Sequence, residues 1–484
     1  MHPLRLNIPS VLTKELRLQR NVSSGERWVR LSSNLLDGFG FGPESRLTRS
    51  LTVPGQGFTL ASDPRGATKV YSRHYNQRRN RPSETVIDLK VQSFLDQALP
   101  AWTEAVHFTI RPGLITARPQ APRAFHISRK LKAAESPLDT FYFGSSGLDQ
   151  ACLAALGFRS RYLVEWRPGE SRDTSDLSET GILTALANNA PDVVFNENIY
   201  TLDMGRVRAE LADRPPVGLM HLCLQCDDHS AVKAKSLKER SVADLSTTVD
   251  MVYPALRLIE ESQPGIVMVE NVPGFATSGA CELFALTLRR WGYHVSTAVL
   301  KAPNYGGMTL RTRFYLVASI WPGFEWPVPT GAAPQSAFAA IAHTLSASRD
   351  VTDLKTTQDG FTSNRIALIT PETVHAPTTL KSQSHQPKDG TYIQAPNGRI
   401  LWPTEEALRI LNGVPADFDL GAVAEGIAVE QIGQGIDFPL HHAVGAAVRQ
   451  HLQTMTNAEP QTTVRVSPAG SAAPASGAQT LLGI

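Results

Sequence analysis

The sequence predicts an α/β protein built on an open, largely parallel sheet and preceded by a basic, β-rich module. Three observations point there. Gly265-Ile266-Val267-Met268-Val269 is a short, β-branched apolar run of the kind buried on both faces of a parallel sheet, and it ends in Glu270-Asn271. Tyr142-Phe143 leads into Gly144-Ser145-Ser146-Gly147-Leu148, a strand that reaches a helix through a turn only glycine backbone makes easily. Charge is unevenly divided: residues 1–135 hold 21 Lys and Arg against 10 Asp and Glu, a net of about +11, which leaves about −9 for the rest of a chain whose total is +2.

The elements follow in order. Residues 1–68 are rich in Arg, Ser, Gly and Pro and read as short strands and loops. Tyr71–Pro82 interleaves Arg73, Arg78, Arg79 and Arg81 with two tyrosines, the composition of a phosphate-contacting arm. Thr85–Leu89 reads as a strand and Val91–Ala98 as a short amphipathic helix. Ala105–Ile110 and Leu114–Ala117 alternate as a hairpin about Pro112-Gly113. This order is similar to the small swapped-hairpin DNA-binding modules of AbrB type. Arg118-Pro119-Gln120-Ala121-Pro122 reads as a linker, closing a module over 1–122. Strands are expected at Tyr142, Tyr162–Trp166, Pro191–Ile199, Val217–Leu222 and Phe314–Ala318. Asn457–Ile484, rich in Ala, Ser, Pro, Gly and Thr, is expected to be disordered.

Bulk properties exclude several classes. At 484 residues, two or three domains are expected. No apolar run approaches the roughly 18 residues of a membrane span, and no apolar secretory region follows the first basic residues. Four cysteines, Cys152, Cys223, Cys226 and Cys281, are too few for a disulfide framework and fit a reducing compartment. Cys223, Cys226 and His229 have the residue types of a zinc site but lack a second pair at finger spacing, so no metal is expected.

The chemistry is carried by Cys226 in Leu222-Cys223-Leu224-Gln225-Cys226-Asp227-Asp228-His229-Ser230, Glu270 in Val269-Glu270-Asn271-Val272, and Arg311 and Arg313 in Leu310-Arg311-Thr312-Arg313. A thiol, a carboxylate and an Arg-x-Arg pair, each at a predicted strand edge, make a covalent-catalysis constellation. With the glycine turn, Tyr162-Leu163-Val164-Glu165-Trp166, Asn198-Ile199, the stretch Arg399–Pro415 and Gln431-Ile432-Gly433-Gln434-Gly435-Ile436, these motifs, in this order, resemble the cytosine-C5 DNA methyltransferases from about Asp139 to about Leu452.

That resemblance implies a Rossmann-like, S-adenosyl-L-methionine-dependent domain over 136–325, completed by 398–456, with a small target-recognition region over 326–397. It implies cofactor contacts from Tyr142, Phe143, Gly144, Ser145, Ser146, Gly147, Glu165, Trp166, Asn198, Ile199, Gln434 and Ile436. Cys226 would add to C6 of a flipped cytosine, Glu270 would act at N3 and the exocyclic amine, and Arg313, with Arg311, would meet O2 and brace Glu270. Ser230, Lys233, Lys235 and Asn271 would touch DNA, with Arg73, Arg78, Arg79 and Arg81 of the basic module.

The sequence departs from the family pattern at several places. Gln225 stands for Pro, Asp227 for Gln and His229 for Phe around the nucleophile; Ser146 stands for Gly, Asn198 for Asp, Gly307-Met308-Thr309 for Val-Pro-Gln and Gln434 for Asn. An active cytosine-C5 methyltransferase of a bacterial or phage restriction-modification type is the expectation, cytoplasmic, monomeric and acting on double-stranded DNA. The alternatives are transfer of a larger group from a modified S-adenosylmethionine, a non-catalytic DNA-binding paralogue, an RNA cytosine methyltransferase, and dimerisation through the N-terminal module.

Overall fold

In the N-terminal module, Val106, Phe108 and Ile110 alternate with His107, Thr109 and Arg111, and Ile115 and Ala117 alternate with Thr116 and Arg118, so each strand has one apolar face to bury. The computed structural model, which describes residues 7–74, 83–169, 173–229, 235–243, 245–331 and 335–457, shows how. The strands are β1 (Leu12–Arg17), β2 (Gln19–Arg20), β3 (Arg27–Ser33), β4 (Arg46–Leu51), β5 (Phe58–Ser62), β6 (Thr68–His74), β7 (Ser83–Leu89), β8 (Ala105–Arg111) and β9 (Leu114–Gln120). They form one antiparallel sheet in the order β1-β8-β9-β5-β4-β6-β7-β3-β2. Its two ends, β1 and β2, are separated only by Leu18, so the sheet curls until its ends meet, enclosing Phe58, Leu60, Val70, Ile87, Phe108 and Ile110. Helix Gln92–Ala98 adds Leu95 and Ala98 to this core.

Two expectations change here. The predicted hairpin forms, with Gly113 at φ +71 in its turn, but not as a swapped module: β1 and β5 of the same chain take its two edges. The predicted linker is largely absorbed, because Arg118–Gln120 belong to β9 and helix Arg123–Ala133 starts directly after Pro122. That helix carries Ile127 and Leu131 into the core of the next domain, and Trp102 stacks on Phe125 with centroids 5.4 Å apart.

The second sheet holds β10 (Asp139–Phe143), β11 (Arg159–Val164), β12 (Val193–Phe195), β13 (Leu219–Cys223), β14 (Ile266–Asn271), β15 (His294–Lys301) and β16 (Thr312–Ser319), in the order β12-β11-β10-β13-β14-β16-β15. β10 to β14 run parallel, whereas β16 is antiparallel to both its neighbours. The chain winds outward from β10 through β11 to β12, then returns to β13 on β10's other side. That reversal opens a crevice beyond the carboxyl ends of β10 and β13, where doubly wound sheets hold ligands. Glu165 and Trp166, expected within the second strand, lie just past the end of β11 at that edge.

A third sheet, β17 (Arg349–Asp350), β18 (Ala367–Ile369), β19 (Thr391–Gln394) and β20 (Ile400–Trp402), has the order β17-β20-β19-β18. β20 pairs with both β17 and β19, so this unit runs past the boundary expected at Asn397. Helices Glu405–Leu411, Glu425–Gln434 and Phe438–Asn457 then return to the main domain, where Val444, Val448 and Leu452 pack under the sheet. Among the described residues, no helix is long and apolar enough to cross a membrane. Residues 458–484, where the tail was expected, lie outside the described residues.

Candidate active site

The crevice is a cavity of about 560 Å³. On one side it is bordered by Phe143, Gly144, Ser146, Glu165, Trp166 and Asn198, on the other by Cys226, Glu270 and Arg313, with Gln431 and Gln434 of the helix Glu425–Gln434 closing it. Gly144 has φ +73, and a Cβ there would fall 2.4 Å from the Cys223 carbonyl oxygen, so only glycine lets β10 turn this close to β13.

Glu165 accepts no hydrogen bond from the described residues. Burial, with Asp149 nearby, lifts its pKa to about 7. A Cβ at Gly181 would lie 2.5 Å from Glu165 Oε1, so the carboxylate is held against backbone with its acceptor capacity unspent. Such a group at a strand's carboxyl edge suits the vicinal hydroxyls of a ribose, and Trp166 beside it offers a ring face for a base. Asn198 Oδ1 already accepts from Tyr200 N at 3.0 Å, so the amide nitrogen is its freer end.

On the opposite wall, β14 delivers Glu270 and β16 delivers Arg313, and their antiparallel pairing brings Arg313 Nε to 2.9 Å from Glu270 Oε1. The N–H is not aimed at that oxygen, so Oε1 keeps hydrogen-bonding capacity although Glu270 is buried. Burial, reinforced by Asp227 and Glu270, raises the Cys226 thiol pKa, while Arg313 and Arg311 oppose the rise. At rest the sulfur is therefore a thiol, beside a carboxylate braced by a guanidinium.

The loop bearing Cys226 is tied down at both ends. Asn271 Nδ2 donates to the Leu224 carbonyl at 3.0 Å and its Oδ1 accepts from Val272 N at 2.8 Å. Asp228, nearly buried, accepts from Thr248 N at 2.8 Å, Thr247 Oγ1 at 3.0 Å and Ser241 Oγ at 3.2 Å, and so closes the segment after Cys226 onto residues some twenty positions on. His229 N donates back to the Cys226 carbonyl at 2.9 Å, and its ring meets Phe275 edge-on at 4.9 Å. The His229 that replaces the expected Phe keeps an aromatic contact.

Below the cavity lies a polar core. His221 Nδ1 is 2.7 Å from Asp149 Oδ2, and Cys223 Sγ is 3.9 Å from each. His441 packs on His221 with centroids 4.9 Å apart and bonds Tyr315 OH at 3.2 Å; burial drives its pKa down to about 3, so it is neutral. The residues of metal-ligating type brought together are thus Asp149, His221 and Cys223, rather than Cys223, Cys226 and His229. The Asp149–His221 hydrogen bond accounts for two of them.

Several predicted site residues serve the cavity without facing it. Arg311 is 1% exposed and donates to the backbone carbonyls of Thr379, Gly433, Gln434 and Gly435, so it braces the closing segment instead of meeting a base. Desolvation lowers its pKa to about 10, where it is still charged at neutral pH. Ser145 turns inward to Asp149, Gly147 N and Gln150. Tyr142 and Ile436 are core residues, and Gly147, at φ +100, admits the backbone of Ala185. Asn271, expected at DNA, is different: it lines the cavity, yet it is buried as the tie described above. Arg73 is the last residue but one of β6, opposite Glu84, and Lys235 opens helix Lys235–Ala243. Arg78, Arg79, Arg81, Ser230 and Lys233 lie outside the described residues.

Sequence reasoning missed Arg167, Lys381 and Glu430, which line the cavity as a charged group: Glu430 Oε1 lies 3.7 Å from Arg167 Nε and 3.8 Å from Lys381 Nζ. Only Glu430 carried a signal, being one helical turn before Gln434. Asp149 and His221 were also missed, though a His inside the apolar strand Leu219–Cys223 marks a buried polar partner.

Comparison with known proteins bears on this site. A family described as C-5 cytosine-specific DNA methylase matches residues 226–321. The chain is 27% identical over 224 residues to the type II methyltransferase M.MspI of Moraxella sp, covering 44% of this chain and 52% of that protein. It is 24% identical over 306 residues to the type II methyltransferase M.NlaX of Neisseria lactamica, covering 59% and 90%. Thus the chain spans about half the length of the Moraxella relative and most of the Neisseria one. Among solved structures, the S. pombe Dnmt2 methyltransferase superposes with a TM-score of 0.50 at 15% identity, covering 65% of this chain and 98% of that one. A methyltransferase of Entamoeba histolytica, EhMeth, gives 0.50 at 12%, covering 65% and 98%. Both show a shared fold.

Proposed function

Because residues 226–321 match the C-5 cytosine-specific DNA methylase family and the chain is similar to type II methyltransferases, we propose that it methylates C5 of cytosine in double-stranded DNA, using S-adenosylmethionine and a covalent adduct through Cys226. One observation carries this reading: Cys226, the Arg313-braced Glu270 and Glu165, which has no hydrogen-bond donor among the described residues, share a single cavity.

The residues fit the cofactor. Glu165 would accept from the ribose hydroxyls, Trp166 would pack on the adenine, Asn198 would meet its edge, and the Phe143-Gly144 turn with Ser146 and Gln434 would border the remainder. When bound, S-adenosylmethionine supplies an electrophilic methyl group.

C5 of cytosine is a poor nucleophile. The Cys226 thiol gives its proton to the Glu270 carboxylate as sulfur adds to C6, and Glu270 passes that proton to N3, so the charge entering the ring is neutralised and C5 becomes enamine-like. Arg313 holds the Glu270 carboxyl and faces the base. After C5 is methylated, a base removes the C5 proton, the Cys226 sulfur leaves as thiolate, and N3 returns its proton through Glu270, which restores the ring and the thiol. C6 is out of reach inside a duplex, so the base is flipped out at a cost of a few kcal/mol. Arg311 is a positioning residue here, because it holds Gly433–Gly435 against the cavity.

The basic N-terminal barrel supplies part of the DNA grip, supported by 17 Lys and Arg against 9 Asp and Glu over residues 1–122, a net of +8. The deciding experiment is mass spectrometry of nucleosides from cells expressing the wild type and Cys226→Ala. A Cys226-dependent modified cytosine in DNA is expected, and its mass identifies the transferred group. A modification confined to RNA, or none in DNA despite folded protein, would overturn the proposal.

A further inference from the structure

The outward face of β1, β8, β9, β5 and β4 carries a row of hydroxyls in cross-strand register. Thr13 stands opposite Thr109, Thr109 opposite Thr116, Thr116 opposite Thr59, and Thr59 opposite Ser50. An apolar neighbour on each strand, Leu12, Phe108, Ile115, Phe58 and Leu51, packs in the core, which fixes these five outward. None of the five side chains has a hydrogen-bond partner among the described residues, although β-branched Thr is otherwise a routine strand former.

Arginines flank the row. Arg17, Arg111 and Arg118 project from the same face, are exposed, and make no ion pair among the described residues; the carboxylate outward on β1, β8, β9 and β5 is Glu15, registered with His107. The opposite side of the barrel differs. There, among the described residues, Arg30 and Lys90 both meet Asp88, at 2.8 and 3.5 Å, and Lys69 meets Glu44 at 2.6 Å, so each of these three cations has a carboxylate beside it.

We propose that this hydroxyl row with its three unpaired arginines is the surface through which the barrel grips the sugar-phosphate backbone of double-stranded DNA. The inference rests on the DNA-binding reading above and names its face. Five strands at about 4.8 Å spacing make a row about 19 Å long around the barrel wall, long enough to meet several phosphates, which follow one another about every 3.4 Å of helix axis on each DNA strand. Hydroxyls and arginines are the donors that fix a protein on phosphates without reading sequence. The face therefore contributes affinity and register, not target choice.

The test uses full-length protein and a duplex of about 30 base pairs, with binding followed by fluorescence anisotropy between roughly 50 and 200 mM salt. The triple variant R17A/R111A/R118A is expected to lower the slope of log K against log salt by about 3, roughly one per phosphate contact. T13V/T109V/T116V keeps β-branched residues in the strands and is expected to weaken binding about tenfold with little change of slope. K69A/K90A, which removes two cations that already have carboxylate partners, is expected to leave the slope unchanged. An unchanged slope in the arginine variant, tighter binding of RNA of equal length, or a concentration-dependent dimer that buries this face would overturn the proposal. Cys226 adduct formation with 5-fluorocytosine DNA at saturating concentration reports on the methyltransfer reading separately.

Discussion

The barrel and the catalytic domain bury their residues differently. The barrel's enclosed core is mostly aliphatic and aromatic, and its ion pairs, such as Arg30 with Asp88 and Arg27 with Asp96, each keep one partner at least a third exposed, where water weakens them. The catalytic domain instead encloses Asp149, Glu165, His221, Glu270, Arg311, Asp437 and His441 around one cavity. Burying an ionisable group costs several kcal/mol unless partners compensate, so such a concentration is expected where the protein does chemistry. The lesson is about division of labour: the barrel is built for a stable surface, and the catalytic domain accepts costly burial to hold reactive groups.

The largest break in that contrast comes from Cys226→Ala, which is expected to reduce product formation by about 10⁴-fold or more while leaving the cavity's fold intact. Chemical reactivity sharpens the point. Because burial raises the Cys226 thiol above its ordinary 9.0, less thiolate is present at pH 7 than for an exposed cysteine. Iodoacetamide labelling of Cys226, followed by peptide mass spectrometry, should still be climbing at pH 9; a plateau near pH 7 would contradict the raised pKa.

Next in size is Arg311→Ala. It strands four backbone carbonyls in a buried site, and a loss of about 3 kcal/mol in urea unfolding is expected. Arg30→Ala in the barrel removes one partly exposed ion pair and should cost about 1 kcal/mol or less. Equal losses at the two sites would erase the contrast. Asp228→Ala should cost about 2 kcal/mol, since three donors lose a charged acceptor, and should lower kcat more than it changes KM because the Cys226 loop is released. Asp228→Asn, which keeps one acceptor oxygen, should recover part of both.

The smallest effect concerns Glu165. Its pKa of about 7 means that near neutrality a carboxylic acid and a carboxylate coexist. Hydroxyls donating to it favour the ionised form, so S-adenosylmethionine binding should tighten as pH rises from about 6 to 8, with proton release below pH 7. In Glu165→Gln, calorimetry should find binding weakened about tenfold and that pH dependence flattened.

The catalytic half was legible in the sequence because its motifs sit at strand ends. A run such as Gly265–Val269 announces both its burial and the edge to which it delivers Glu270, and β14 follows as Ile266–Asn271. Glu165, Trp166 and Asn198 were legible for the same reason, and all three line the cavity. The barrel was legible only in pieces, because alternation predicts that a strand exists and which face is apolar, but not its partners.

What the sequence determined by itself was therefore local: the order of strands and turns, the glycine at 144, the thiol, carboxylate and Arg-x-Arg pair, and the basic front segment. Tertiary structure alone decided which of two adjacent candidates faces the cavity. Arg313 lies within strand β16 beside Glu270, whereas Arg311 precedes that strand and is claimed by carbonyls more than 120 residues later in the chain. Ser146 faces the cavity while Ser145 is claimed by Asp149 four residues on. Closure of the sheet at Leu18 and the hydroxyl row on its outer face belong to the same category. Each depends on contacts between distant segments, and a buried donor takes whichever acceptor the packed chain brings to it, which no local pattern encodes.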